Sequence, residues 1–345
     1  MSNLFRAALA RQNEDRPPVW LMRQAGRYHN HYRRIRERHS FVDLCKQPQI
    51  AAEVTMGPIA EFDFDAAILF SDLLFPLEAM GMPLDYTPGP TLGWHLDSTD
   101  DLTRLRHVEG TDGLAFQAQA LRAIRTRLPS TKGLIGFVGG PLTLFYYAVE
   151  GSHQGELARA RAGLTDGRYA GFCERLIPLL ARNMASQWSA DIDCLAVLDT
   201  CAGELSPQEF AAHVVPRLAA TLAEFQRLCP DGKVLYYSKG TDARHWRQLR
   251  KLPLAGIGID WRTPVADALA EFGDQWAIQG NFDPQSLLLP ETDFLSAADA
   301  FFAPLVRLPR SQRRGWICGL GHGVLPPTPE RHVQLFVDIQ RELFS

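Results

Sequence analysis

Eight short apolar runs, each with the length of a buried strand, punctuate the chain: PVWLM (18–22), DAAILF (65–70), GLIGFV (133–138), DCLAVL (193–198), KVLYYS (233–238), AGIGID (255–260), QWAIQ (275–279) and GWICGL (315–320). Between them lie stretches with helical spacing, such as GRYAGFCERLIPLLARNMASQW and SPQEFAAHVVPRLAATLAEFQRL. The second opens on Ser206-Pro207 with Glu209 in the capping-box position, which predicts a helix start. Strands alternating with helices indicate a parallel sheet, because each crossover must be long enough to hold a helix. Eight such units predict an α/β fold closed as a (β/α)8 TIM barrel. An open doubly wound sheet is the alternative. It would carry a Gly-x-Gly-x-x-Gly turn after its first strand, where this chain has Met22-Arg23. The longest gap between runs, 71–132, contains MPLDYTPGPTLGW and predicts an inserted hairpin or excursion after the second strand. No repeat, linker or low-complexity tract interrupts the pattern, so residues 1–345 read as one domain.

A barrel of this kind places its chemistry on the loops at the carboxyl ends of its strands. The first run is followed by Arg23, Gln24 and Arg27, and the second by Ser71-Asp72. After the third comes GGPLTLFYY with Tyr146 and Tyr147, and after the fourth Asp199-Thr200. The remaining runs end at Ser238-Lys239, Asp260, Asn281 with Asp283, and His322 within GLGHG. Each has a structural alternative. Asp72 can cap the next helix, and Asp199 and Asp260 can be caps or buried hydrogen-bonding groups. Of the adjacent tyrosines only one can face a pocket from a helix. The segment HNHYRRIRERH reads as a solvated helix face beside the mouth.

Composition sharpens this picture in three ways. A net charge of -3 argues against a general nucleic-acid binder. The first 38 residues nevertheless hold nine arginines (6, 11, 16, 23, 27, 33, 34, 36 and 38) against Glu14, Asp15 and Glu37. Arginine stays charged in proteins, so Arg23 and Arg27, four residues apart beside an apolar run, must reach solvent or wait for an anion. The six cysteines (45, 173, 194, 201, 229 and 318) form no Cys-x-x-Cys pair and read as small buried hydrophobes in a reducing compartment. No apolar run reaches membrane-span length, and the opening residues include acidic groups without a long apolar stretch, so a cytoplasmic protein is expected. Metal and nucleophile motifs are missing: no His-Glu-x-x-His, no His-x-Cys, no Gly-x-Ser-x-Gly, and no Lys-Ser/Thr after the glycines of GFVGGP. His29-x-His31 sits among arginines, which oppose a cation.

Taken together, PVWLMRQAGRY (18–28) and GFVGGPLTLFYYAVEG (136–151) resemble the two signatures of the uroporphyrinogen decarboxylases. AAILFSDLL, GIDW, IQGNFDP and GLGHGVLPPTP are similar to further blocks of that family in the same order, over roughly residues 17 to 340. The resemblance implies a homodimeric (β/α)8 barrel and a carboxy-lyase of haem and tetrapyrrole biosynthesis. Such an enzyme removes four acetate carboxyl groups from uroporphyrinogen III to give coproporphyrinogen III and carbon dioxide, with no metal and no organic cofactor. It also implies Asp72, Arg23 and Tyr147 as catalytic residues, and substrate contacts from Arg23, Gln24, Arg27, Asp72, Tyr147, Thr200 and His322. The chain departs from the family at Leu142, where an aromatic is usual, and at Cys201, where relatives carry Trp or His. Two rival readings are a zinc-dependent corrinoid/thiol methyltransferase of the same superfamily, and a non-catalytic tetrapyrrole-binding protein.

Overall fold

The computed structural model describes residues 3–14, 16–86, 89–152, 155 and 157–344. Seven parallel strands form its main sheet: β1 (Ala66–Ile68), β4 (Gly133–Gly139), β5 (Cys194–Leu198), β6 (Val234–Tyr237), β7 (Gly256–Gly258), β8 (Ala277–Phe282) and β9 (Trp316–Leu320), adjacent in that order. Each pairs with its neighbour in sequence, for example Ile135 with Cys194 and Leu195 with Val234. Nearly every residue of these strands is buried, as apolar runs covered on both faces must be. Helices cross between them, among them Arg168–Trp188, Val215–Leu228, Val265–Phe272 and Glu291–Arg307. Ser206 and Glu209 form the expected capping box. Two further strands, β2 (Leu84–Asp85) and β3 (Thr91–Leu92), pair antiparallel within the long gap between β1 and β4.

The first apolar run corrects the expectation of eight regular strands, because it joins the sheet only through a bridge from Val19 to Cys318. Pro17 and Pro18 have no N–H to give a ladder. The Val19 N–H is taken at 2.8 Å by the Asp65 carboxylate, which also receives a two-pronged bond from Arg16 at 2.7 Å per arm. The run still touches both edge strands. Trp20 donates to Cys318 O at 3.0 Å, Cys318 donates to Pro18 O at 2.8 Å, and Asp65 at the head of β1 donates to Val19 O at 2.9 Å.

One large apolar cluster runs through strands and helices alike. A smaller one, of Tyr32, Ile35, Leu44 and Val54, lies under the segment that follows the first run. All six cysteines are free, and all but Cys229 are buried. Among the described residues no helix is long and apolar enough to cross a membrane. Because the strands are parallel, their carboxyl ends share one face, and the loops that carry Asp72, Thr200 and His322 all leave from it.

Candidate active site

Arg23 sits at a turn closed by a Gln24 N–H to Leu21 O bond of 3.1 Å, and its φ is 59°. That left-handed position in a turn usually holds Gly or Asn. A side chain with a Cβ pays about 1 kcal/mol there, a strain that concentrates at functional sites. The turn sends Arg23 and Gln24 opposite ways. Gln24 is buried, donates to Ala66 O at 3.1 Å, and has its own carbonyl oxygen bonded by the Tyr28 hydroxyl at 2.7 Å. Arg23 is exposed and runs across Gly323, where a Cβ would come within 2.3 Å of its Cδ. The glycine after His322 is therefore a clearance for Arg23.

The other arginines of the basic stretch divide into neutralised and open ones. Arg6 pairs with Asp193 and Arg16 with Asp65, while Arg11, Arg33 and Arg36 bond backbone carbonyls. Arg23 and Arg27 pair with no acidic group among the described residues. Arg34 and Arg38 likewise take part in no ion pair among the described residues, so Arg23 and Arg27 are two of four arginines of this stretch left open to an anion.

Asp72 leaves the carboxyl end of β1. Burial pushes its pKa up, opposed by the Leu74 N–H bonded at 2.9 Å, the Tyr86 hydroxyl and the charge of Arg23. Tyr86 comes from the end of β2, and its hydroxyl has no well-aligned hydrogen bond among the described residues, yet it lies close enough to act on Asp72. Its neighbour Ser71 is held from behind by a buried amide relay. Gln117 donates to Ser71 Oγ at 3.0 Å, and its own carbonyl receives Asn183 at 2.9 Å and Gln187 at 3.2 Å. Gln187 in turn bonds the N–H and C=O of Phe137 on β4, both at 2.9 Å.

A second relay fixes Tyr147 and Thr200. The helix Pro141–Glu150 starts against Asp199, whose carboxylate accepts the N–H and hydroxyl of Thr143 at 2.9 and 2.7 Å and the Tyr236 hydroxyl at 3.1 Å. Thr143 Oγ1 also accepts the N–H of Cys201 at 3.0 Å, tying the start of that helix to the turn that begins at Thr200. Asp199 approaches so closely that a Cβ on Gly140 would fall 2.2 Å from its carboxyl carbon, which explains the glycine before Pro141. Tyr147 is half-buried, and burial followed by the charge of Asp72 raises its phenol pKa, so it stays an O–H donor at neutral pH. Tyr146 is fully buried in the apolar cluster.

Across from these, the His322 ring stacks nearly parallel to Tyr237, and its Nδ1 lies 3.0 Å from the Tyr237 hydroxyl.

Arg23, Asp72, Tyr147, Thr200 and His322 line one cleft together with Met22, Phe70, Phe137, Leu198 and Pro90. The cavity has a volume of about 200 Å³. Gln24 and Arg27 are not in its lining. Gln24 turns inward and buttresses the turn. Arg27 is exposed, with its charge near Tyr32, whose ring packs 5.6 Å from the lining residue Phe70. Asp260 also lies outside the lining and ties loops together, accepting the N–H groups of Gly240 at 2.7 Å and Arg262 at 3.0 Å. Tyr86, Gln117 and Gln187 carry no motif, and only the tertiary fold brings them to the site. Pro90, beside β3, is the one signal within the inserted stretch for the cleft wall.

Metal donors do not gather in this cleft. Among the described residues, His29, Glu61 and Glu330 form the one cluster with ligand spacing, and none of them lines it. Burial pushes the Cys201 thiol up to about 12 and Cys318 well above the usual thiol range, and neither lines the cleft.

A family model described as uroporphyrinogen decarboxylase (URO-D) matches residues 2–343. The chain belongs to the uroporphyrinogen decarboxylase family. It is 36% identical over 347 residues to the uroporphyrinogen decarboxylase of Roseiflexus sp. (strain RS-1), covering 98% of this chain and 97% of the relative. It is 37% identical to the protein of that name from Chloroflexus aggregans, over 98% of this chain and 95% of that one. Among solved structures, a methyltransferase from Methanosarcina mazei superposes with a TM-score of 0.75 over 100% of both chains at 16% identity, a likeness of fold alone. In this member of the uroporphyrinogen decarboxylase family, then, Arg23 of the first signature and the shielded carboxyl of Asp72 after β1 meet in one cleft, with Arg27 outside its lining.

Proposed function

We propose that this chain acts as a uroporphyrinogen decarboxylase through the cleft that holds Arg23 and Asp72. The substrate's acetates and propionates are ionised at neutral pH, and guanidinium groups that lack acidic partners are suited to receive them. Arg23 binds a carboxylate inside the cleft, and Arg27 binds one at the rim. Each charge-assisted bond contributes about 1.5–3 kcal/mol.

Proton addition to a pyrrole carbon makes that ring cationic. The C–C bond to the acetate carboxylate then breaks, its electrons flow into the ring, and carbon dioxide leaves. A second proton converts the exposed methylene to methyl, and loss of the first proton from the ring carbon restores the neutral pyrrole, so one proton is consumed for each carbon dioxide released. The substrate supplies its own electron sink, so no cofactor is required for this step. Asp72, as carboxylate, accepts hydrogen bonds from the pyrrole N–H groups and stabilises the ring cation. Tyr147 donates its O–H beside Asp72, and Thr200 and His322 contact substrate carboxylates. Arg23 positions the reacting acetate, because a group with a pKa above about 12 is a poor proton donor.

The single observation that supports this reading is the placement of an unneutralised Arg23 and a shielded Asp72 in one cleft. The same reading takes residues 1–345 as one (β/α)8 TIM-barrel domain, with Pro18–Trp20 as its eighth stave and the β2–β3 hairpin as an excursion. It places the enzyme in the cytoplasm as a homodimer. Anaerobic incubation of the metal-stripped protein with uroporphyrinogen tests the function. Chromatography should show products with seven, six, five and finally four carboxyl groups. Recovery of unchanged substrate would leave the chain a tetrapyrrole binder.

A further inference from the structure

Two contacts of one hydroxyl group decide the state of His322. The Tyr237 oxygen lies 2.8 Å from Gly321 O and 3.0 Å from His322 Nδ1. A phenol has one proton to give, and a carbonyl oxygen can only accept. The proton therefore points at Gly321 O. The contact with His322 must then be filled the other way, with Nδ1–H donating to the phenol oxygen. Burial raises the Tyr237 pKa, so the phenol keeps its proton at neutral pH.

We propose that Tyr237 is a positioning residue that holds His322 with its proton on Nδ1 in both charge states, so that His322 grips a substrate carboxylate only as the imidazolium. With Nδ1 always protonated, every proton the ring gains or loses is on Nε2. In the neutral ring Nε2 carries a lone pair, which repels a carboxylate. In the cation it carries an N–H, which donates to one. Binding of the acidic substrate is thereby coupled to proton uptake by this ring. The inference rests on the reading that His322, which lines the cleft, meets a substrate carboxylate.

The charged and titratable groups around the ring come from several elements. Tyr237 ends β6, and Asp260 and Arg262 follow β7 and act on Tyr237. Arg23 crosses Gly323 beside the ring, and Asp72 and Tyr147 share the cleft. Arg23 and Arg262 favour the neutral imidazole, whereas Asp72 and Asp260 favour the cation. A second anion arriving with the substrate adds to the latter.

The tautomer can be read without turnover. Nitrogen-15 chemical shifts of the labelled protein, with His322 assigned by comparison with His322→Asn, should show the Nδ1–H form once the ring is neutral. A neutral ring protonated on Nε2 would overturn the proposal. In the wild type, KM for uroporphyrinogen should rise about tenfold as pH increases from about 6 to about 8.5, a range in which the substrate carboxylates no longer titrate. Tyr237→Phe removes the acceptor from Nδ1, so the neutral ring can move its proton to Nε2 and donate to a carboxylate. That variant should keep kcat near the wild-type value and lose most of the KM slope. A wild-type KM that is flat over this range would also overturn the proposal, as would a slope unchanged in Tyr237→Phe. Absence of turnover at any pH would count against the proposed function instead, and the nitrogen shifts would still test the tautomer.

Discussion

Single residues in this cleft are set against stability, and the strain shows where. Arg23 holds φ 59° without being glycine or asparagine, and Asp72 keeps a carboxyl where burial raises its pKa. Replacing Arg23 by Asn should stabilise the fold by about 0.5 kcal/mol, because Asn tolerates that conformation, while raising KM. A urea titration and a steady-state assay on the same sample check both halves. For Asp72, the folded pKa lies above the unfolded one, so its contribution to stability is fully present below the usual carboxylate range. It is lost as pH rises through the folded pKa. Asp72→Asn should therefore melt higher than wild type at neutral pH, with the gap closing toward low pH. Melting curves across the acid range read it directly. Strand-end position puts Arg23, Asp72, Thr200 and His322 among the candidates for one face, because parallel strands deliver their ends together. But it also offers Asp260, Asn281 and Asp283, which do not line the cleft, and leaves Tyr146 and Tyr147 to be told apart by the family resemblance. It puts Gln24 at the same mouth, whereas the structure turns that side chain inward, since adjacent residues of a tight turn point opposite ways. It also reaches Arg27, which lies past the turn, exposed and outside the cleft lining.

At the scale of elements, the site is held by polar groups that no local pattern marks. The Asp199–Thr143 pair joins the end of β5 to the helix carrying Tyr147, and the Gln117–Gln187 relay joins Phe137 on β4 to Ser71 beside Asp72. Thr143→Val preserves shape but leaves the Cys201 N–H without its acceptor and removes one donor from Asp199. It should cost about 1–3 kcal/mol in stability and lower kcat through misplacement of Tyr147 and Thr200. Unchanged kcat in a destabilised variant would separate the relay from the site. Gly323→Ala makes the complementary test, since the three atoms nearest its Cβ all belong to Arg23: KM should rise with little change in melting temperature. Amide relays such as Gln117 to Gln187 escape sequence reading because their partners lie 46 to 70 residues apart on different elements. The hairpin is similar. Its composition announces a turn, but nothing in it announces that Tyr86 will stand beside Asp72.

At the scale of the molecule, the fold follows from apolar runs at regular intervals, and its least regular join lies where Pro17 and Pro18 stand. Pro17 and Pro18 deny the first run a regular ladder, and the Arg16–Asp65–Val19 bonds make the join to β1 instead. Asp65→Ala would leave Arg16 partly buried without its partner and should cost about 3 kcal/mol, measured by urea unfolding. That join carries the turn from which Arg23 projects, so the same variant should lose substrate affinity. The central claim, however, is that a shielded Asp72 steadies the cationic ring inside the cleft that Arg23 also lines. The most direct test is the single-turnover rate of the first acetate loss, measured anaerobically for Asp72→Asn against wild type at saturating enzyme. The account predicts a fall of about 100- to 1,000-fold in a protein that is folded and melts no lower than wild type. A rate close to that of wild type would contradict it.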